Sequence, residues 1–373
     1  MSLRVGVVGA GTAGRLHSLG YLSAGSRVRL VAVADVDLER ARQMRRRFGF
    51  EDAMGGHREL LARPDIDVVS ICTPAVDHAR VVLDAVGAKK HVLCEKPVTI
   101  TDEDAQRIVT SVSEQPDLCV SCVFQHRDDP AVQRARWLLE QGAIGAVTAV
   151  HLAARVRRDS AYYTGTRGQL QADGGGALMV QGIHVLDTLS WLVGDVESVS
   201  ATMDTFVQPT DTEDTIAGWA RLEAGAIATI DCTTCAQRDE YRIDVLGRTG
   251  SVHLDYRPGW ARTWDLETRS RGRRESRAMR RSAARRFPSE ARIRAPHVAS
   301  LAAARLARHD HIPHHLGHGP HVRRFLHAIE NGEPAPVTLT DAARSVETVL
   351  AFYRSATRGE TVQLPPRPRR AGS

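Results

Sequence analysis

Gly9, Gly11 and Gly14 follow a short apolar run beginning at Leu3 and lead into helix-forming residues. That spacing suits a pyrophosphate. Gly9 permits a tight turn, Gly11 lets the backbone approach the phosphates, and Gly14 lets the helix pack closely on the strand before it. Thr12 and Ala13, in the segment that leads into the helix, are expected to help hold the pyrophosphate, which sits at the helix N-terminus where free N–H groups and the dipole favour an anion. Asp35 closes the next apolar run, Val28–Ala34, at the distance where an acidic side chain meets a ribose. A carboxylate there accepts hydrogen bonds from the ribose hydroxyls and repels a 2′-phosphate, so NAD is expected ahead of NADP.

Lysine supplies the second chemical signal. The chain has 50 Lys and Arg residues, yet lysine stands only at 89, 90 and 96. A position that needs only positive charge could hold arginine; one that needs a group able to lose its proton could not.

These residues need a doubly wound scaffold. Apolar runs at 3–9, 28–34, 68–72, 91–94 and 119–124 alternate with helical patterns at 15–24, 38–48, 78–88 and 101–114. Alternation of this kind predicts an α/β N-terminal Rossmann domain with a parallel sheet, over residues 1–124. Beyond it, helices at 130–141 and 181–192 and longer strands at 146–155, 196–205, 215–222, 226–235 and 241–246 predict an α+β domain with a large, mostly antiparallel sheet, over 125–366. Helices at 320–331 and 340–357 close the chain.

Composition sets limits. With 42% hydrophobic residues the chain can build ordinary cores, and no apolar run is long enough to cross a membrane. The N-terminus enters a strand pattern at once, without the features of a secretory leader, so a cytoplasmic protein is expected. Cys119/Cys122 and Cys232/Cys235 lie in strand-like runs, where residues three apart face opposite ways, so reduced thiols are expected and no metal. Eleven arginines fall within 269–294. Few aromatics interleave them, which favours a surface insertion over nucleic-acid contact and leaves open a lid or an anion contact. The histidine-rich stretch 309–321 contains glycine and proline and reads as a loop.

Residues 94–97 read Cys-Glu95-Lys96-Pro97, and Thr73-Pro74 with His78 precede them. A later stretch, Asp173-Gly-Gly-Gly-Ala-Leu-Met-Val-Gln-Gly-Ile-His184-Val-Leu-Asp187, completes a pattern that resembles the Gfo/Idh/MocA family. The resemblance spans nearly the whole chain apart from the Arg-rich segment. It implies a two-domain oxidoreductase acting on a hydroxyl or keto carbon of a sugar, aminosugar or cyclitol. It further implies that Thr73, Pro74, His78, Glu95 and Lys96 help to hold the cofactor, that the bond before Pro97 is cis, and that Gln125 lies near the nicotinamide. Lys96 would lie between nicotinamide and substrate, and relatives commonly form homodimers or homotetramers.

The residues agree with that chemistry. Alcohol oxidation needs a base with a pKa near the working pH. Lysine, from ~10.4, can be pushed down by desolvation and a cationic neighbour, while histidine starts near ~6.5. His184 and Asp187, three apart on a helix, share a face, so Asp187 could orient the imidazole or meet a substrate hydroxyl. His184 is taken as general acid/base with Lys96 polarising the oxygen, the reverse remaining open. Gln181 is a further candidate substrate contact, and Arg167 could bind a phosphate, carboxylate or hydroxyl. One departure stands out. Where family members often carry Asp or Asn four residues before the histidine, this chain has Val180. That keeps a second reading alive, an NAD-binding protein without turnover.

Overall fold

The first strand shows why the N-terminal half folds as it does. The computed structural model describes residues 2–165, 167–257, 260–268 and 318–366, and β1 (Leu3–Val8) enters it with its last four residues buried. Such continuous burial belongs to a parallel sheet covered on both faces. The elements that follow are α1 (Thr12–Leu22), β2 (Val28–Ala34), α2 (Leu38–Phe48), β3 (Asp52–Met54), α3 (His57–Leu61), β4 (Val68–Ile71), α4 (Ala75–Gly87), β5 (His91–Cys94), α5 (Asp102–Ser113) and β6 (Val120–Cys122). The sheet has six strands in the order β3-β2-β1-β4-β5-β6, every pair parallel. The order reverses between β1 and β4, where open α/β sheets bind ligands at their carboxyl ends. Local chemistry sets the helix starts. Asp37 accepts from Arg40 N at α2, and Thr101 accepts from Asp104 N at α5, whose first turn is acidic.

The second sheet is built from β7 (Val147–Arg157), β8 (Val196–Asp204), β9 (Thr215–Leu222), β10 (Ile227–Thr233), β11 (Cys235–Gly247), β12 (Gly250–Arg257), β13 (Trp260–Thr268) and β14 (Val362–Gln363). Its order is β13-β12-β11-β7-β10-β9-β8-β14, antiparallel except for the β7–β10 pair. Helices α6 (Pro130–Glu140), α7 (Leu170–Asp173) and α8 (Ile183–Leu192) accompany it, and α9 (His318–Asn331) and α10 (Leu339–Arg358) end the chain. Helix α8 is buried on all sides but Trp191, as befits a helix that is apolar all round.

The fold corrects four expectations. Helix α1 begins at Thr12 rather than 15, with Gly11 as its cap. Strands β3, β12, β13 and β14 and helix α3 were not foreseen: β3, α3 and β14 are too short to carry a period, while β12 alternates from Val252 to Arg257 and was overlooked along with β13. The chain divides after Asp129 rather than after residue 124. Helix α9 and the start of α10, to Ala343, belong with the first unit and not the second. The reason is apolar: Val322, Phe325 and Leu326 join the core of Val5, Val7 and Tyr21, and a Cβ on Gly20 would stand 2.8 Å from Val322 Cγ2. Burying Phe325 and Leu326 contributes about 1.5–3 kcal/mol each. The Arg-rich segment 269–294 and residues 309–317 of the histidine-rich stretch lie outside the described residues.

Candidate active site

In the first unit the glycine turn has the geometry a dinucleotide needs. Gly9 has φ +103°, and a Cβ there would stand 2.3 Å from Cys72 O. A Cβ on Gly14 would stand 2.0 Å from Gly9 O, so helix and strand meet only because it is absent. At Gly11 a Cβ would meet nothing within 4 Å, leaving space where phosphates approach the backbone. Thr12 and Ala13 open α1, and their N–H groups have no intrahelical partner. Asp35 is fixed at this turn: Ala10 N donates to its Oδ2 at 2.8 Å and Asp37 N to its Oδ1 at 2.9 Å. Each carboxylate oxygen keeps a lone pair for a ribose hydroxyl. Two buried atoms, Thr73 Oγ1 and Gln125 Oε1, have no hydrogen-bond partner. Unpaired buried polar atoms are costly, and a polar ligand at this edge would satisfy them. The residues present therefore fit NAD, which would rest on Gly11, Thr12 and Ala13 and reach Asp35, Thr73 and Gln125. Pro74 caps α4 directly after Thr73.

His78 differs from expectation. Its ring is buried, with Nδ1 2.6 Å from Pro97 O and Nε2 2.9 Å from Thr73 O. Both nitrogens are engaged, so His78 ties the loop after β4 to the loop carrying Lys96 and is not presented to a cofactor. Glu95 is likewise turned inward. His17 Nε2 and His318 Nε2 each donate to its Oε1 at 3.0 Å, and Lys96 N donates to its Oε2 at 3.2 Å. Burial by itself would raise the Glu95 carboxyl; the two imidazole bonds outweigh it and hold the group well below its ordinary range. An ionised carboxylate only accepts, so His17 Nε2 carries the proton and Nδ1 accepts from Ser70 Oγ at 2.9 Å, with Ser70 Oγ and Tyr21 OH hydrogen-bonded at 2.8 Å. The ligand-type atoms of His17, Glu95 and His318 lie within 4.8 Å of one another, and the imidazole–carboxylate bonds account for their approach.

Lys96 is half-buried, and the Lys96–Pro97 bond is cis. Beside it His126 is pushed down to about 3, first by burial, then by the positive charges of Lys96 and His318. His17 and His126 went unnoticed in the sequence because no spacing links them to Lys96, and His318, in the histidine-rich stretch read as a loop, instead opens α9.

In the second unit the glycine run is clamped. Glu213 accepts from Gly176 N and Leu178 N, both at 2.8 Å, and Tyr353 OH donates to it at 2.8 Å while accepting from Met179 N at 3.0 Å. A Cβ on Gly175 would stand 2.3 Å from Tyr353 OH and one on Gly176 1.9 Å from the Glu213 backbone O, so the run is glycine where the Tyr353 phenol and the Glu213 main chain approach. A π-helical turn, Leu178–Gly182, then leads into α8. Such turns recur at functional sites. His184, 7% exposed, stands in the first turn of α8. Asp187 has no exposed surface, and Ser345 Oγ donates to its Oδ1 at 3.2 Å. Gln181 is buried between two tyrosines: its Nε2 donates to Tyr162 OH at 3.3 Å, and Tyr241 OH donates to its Oε1 at 3.1 Å. Val180 is half-buried on the same turn. Arg167 is exposed, its guanidinium 4.7 Å from the Tyr162 ring centre.

Residues 3–122 match the model of an oxidoreductase family with an NAD-binding Rossmann fold, and residues 132–253 match the Gfo/Idh/MocA C-terminal domain. The chain belongs to the Gfo/Idh/MocA family of oxidoreductases. Among curated relatives, it is 29% identical over 290 residues to levoglucosan dehydrogenase of Pseudarthrobacter phenanthrenivorans, covering 68% of this chain and 74% of that one. It is 28% identical over 259 residues to myo-inositol 2-dehydrogenase of Thermotoga maritima, covering 68% and 75%. Among solved structures, the WlbA dehydrogenase from Bordetella pertussis, in complex with NADH and UDP-GlcNAcA, superposes with a TM-score of 0.82 at 24% identity over 98% of this chain and 99% of that one. Levoglucosan dehydrogenase in complex with NADH and levoglucosan gives a TM-score of 0.82 at 23% identity over 98% and 100%. At that identity the likeness is one of fold. Among the described residues no helix is long and apolar enough to cross a membrane.

Proposed function

We propose that this family member is an NAD-dependent dehydrogenase or ketoreductase acting on a CH–OH or keto carbon of a sugar, aminosugar or cyclitol. The observation that carries the reading is the nucleotide cradle: space at Gly11, a fixed Asp35, and orphaned Thr73 Oγ1 and Gln125 Oε1. The named relatives support the substrate class, since they are dehydrogenases of levoglucosan and myo-inositol, and the fold neighbours were solved with levoglucosan or UDP-GlcNAcA. Bound NAD supplies the hydride acceptor. The chain supplies proton handling, with Lys96 polarising the substrate oxygen and His184 taking its proton. Asp35 selects NAD over NADP.

The test is NADH absorbance on mixing the enzyme with NAD and a panel of inositols and sugars. Lys96→Met and His184→Ala should each lower turnover by about 10²–10⁴-fold, the usual range for a positioned acid or base. Their pH–rate profiles assign the base, because the variant lacking it loses the acidic limb. Near wild-type turnover in both variants would overturn the site. Val180 supports a second reading, nucleotide binding without turnover, which predicts saturable NADH binding and no NADH formation with any polyol.

A further inference from the structure

Two arginines of the second unit converge on one aromatic ring. Arg158 Cζ lies 4.8 Å and Arg167 Cζ 4.7 Å from the centre of the Tyr162 ring. Tyr162 is itself held, by Gln181 Nε2 at its hydroxyl and by the edge of Tyr163, 5.2 Å away at 80°. Gln181 stands three residues before His184, so this platform is joined by one side chain to the turn that carries the histidine.

Neither guanidinium has a carboxylate partner among the described residues. Arg158 Nε is buried with no hydrogen-bond partner, and the one side-chain hydrogen bond Arg158 makes is from Nη1 to Arg157 O at 2.9 Å. Acidic groups are not lacking in these loops, but they are engaged by backbone N–H groups: Asp173 by Gly168 at 2.8 Å, Asp211 by Leu170 at 2.7 Å. Arg155, three residues before Arg158, behaves oppositely and pairs with both Asp231 and Glu240. Two permanent cations sharing one ring repel each other, and each cation–π contact returns only about 0.5–2 kcal/mol. A guanidinium keeps its charge and presents a fork matched to carboxylate or phosphate.

We infer that Arg158 and Arg167, set on Tyr162, form an anion subsite, and that the substrate is a sugar carrying a carboxylate or a phosphate. The inference rests on the dehydrogenase reading above and narrows its substrate class. The backbone supports a preformed site. Arg158 N donates to Thr234 O at 3.1 Å and Gln208 Nε2 to Arg158 O at 2.9 Å, while Thr210 Oγ1 donates to Gly168 O beside Arg167.

The experiment compares D-glucose, D-glucuronate and D-glucose 6-phosphate by calorimetric titration of the NADH-loaded protein at low salt. At least one anionic sugar should bind tenfold or more tightly than glucose, and whichever does so identifies carboxylate or phosphate as the group read. Arg167→Gln should remove most of that preference, and Arg158→Gln with Arg167→Gln all of it, with glucose binding unaltered. Arg158→Lys, which keeps the charge but not the fork, covers the case in which Arg158→Gln disturbs packing. Arg107→Gln, on the exposed face of α5, is the control. Equal binding of the three sugars, binding of none, or equal losses for all three in the double variant would overturn the subsite. NADH titration and NADH formation from myo-inositol read the parent proposal separately. A protein that binds NADH and oxidises a neutral polyol without anion preference keeps the dehydrogenase reading and loses this one.

Discussion

Asp35 is the residue whose role can be isolated most cleanly. Its oxygens already take two backbone N–H groups, which hold the carboxylate at the end of β2 whether or not a nucleotide is bound. Replacing it with serine removes the charge that repels a 2′-phosphate. Asp35→Ser should therefore move the ratio of kcat/KM for NAD over NADP towards NADP by at least about tenfold, a change of ~1.4 kcal/mol. An unchanged ratio would remove Asp35 from cofactor choice. Asp35 and the three glycines were legible in the sequence because their meaning is local: a turn, a close approach and a carboxylate fixed at the end of β2 lie within one βαβ unit. His318 was not. It reaches Glu95 across 223 residues, and nothing in the spacing of Glu95-Lys96-Pro97 announces it. His78 and Glu95 were legible as motif residues, but not the hydrogen bonds that turn them into the fold, since a motif does not say which way its side chains turn.

At the scale of the element, the turn before α8 depends on a single phenol. Tyr353 OH donates to Glu213 Oε1 and accepts from Gly176 N and Met179 N. Tyr353→Phe would leave these buried groups short of partners, at roughly 1–3 kcal/mol for an unsatisfied buried group. The expected result is a lower urea midpoint for the second unit and reduced turnover, with NADH affinity unchanged because the nucleotide cradle lies in the first. An unchanged midpoint, or NADH affinity lost in step with turnover, would contradict the clamp. The glycine run was visible in the sequence, but its cause was not: Gly175 makes room for the Tyr353 phenol from α10 and Gly176 for the main chain of Glu213, just before β9. The strands of the second sheet were read to within a few residues at 146–155, 196–205 and 215–222. β12 and β13 were missed.

The two units differ in how acid should affect them, and this sets the behaviour of the whole molecule. In the first unit His17 is buried and its pKa lowered, desolvation outweighing the bond to Glu95, and His126 is pushed down to about 3. Burial also lowers His78, against the pull of two carbonyl oxygens, and His91. A histidine whose folded pKa lies below its unfolded value stabilises the fold fully above ~6.5 and loses that contribution as pH falls, because the unfolded chain takes up the proton first. Each such group contributes a slope of up to about 1.4 kcal/mol per pH unit. Asp128 adds a later window: burial would raise it, but His321 and Arg324 hold it low, so its contribution is lost only as pH falls below ~3.9. In the second unit Glu213 is raised by burial, which favours that unit in acid. NADH binding and the first unit's urea midpoint should therefore fall between pH 6.5 and 5. His126→Gln should flatten part of that slope. A first-unit midpoint that stays level from pH 7 to 5 would mean that these imidazoles are not kept neutral by burial, and the network behind Lys96 would need a different protonation state.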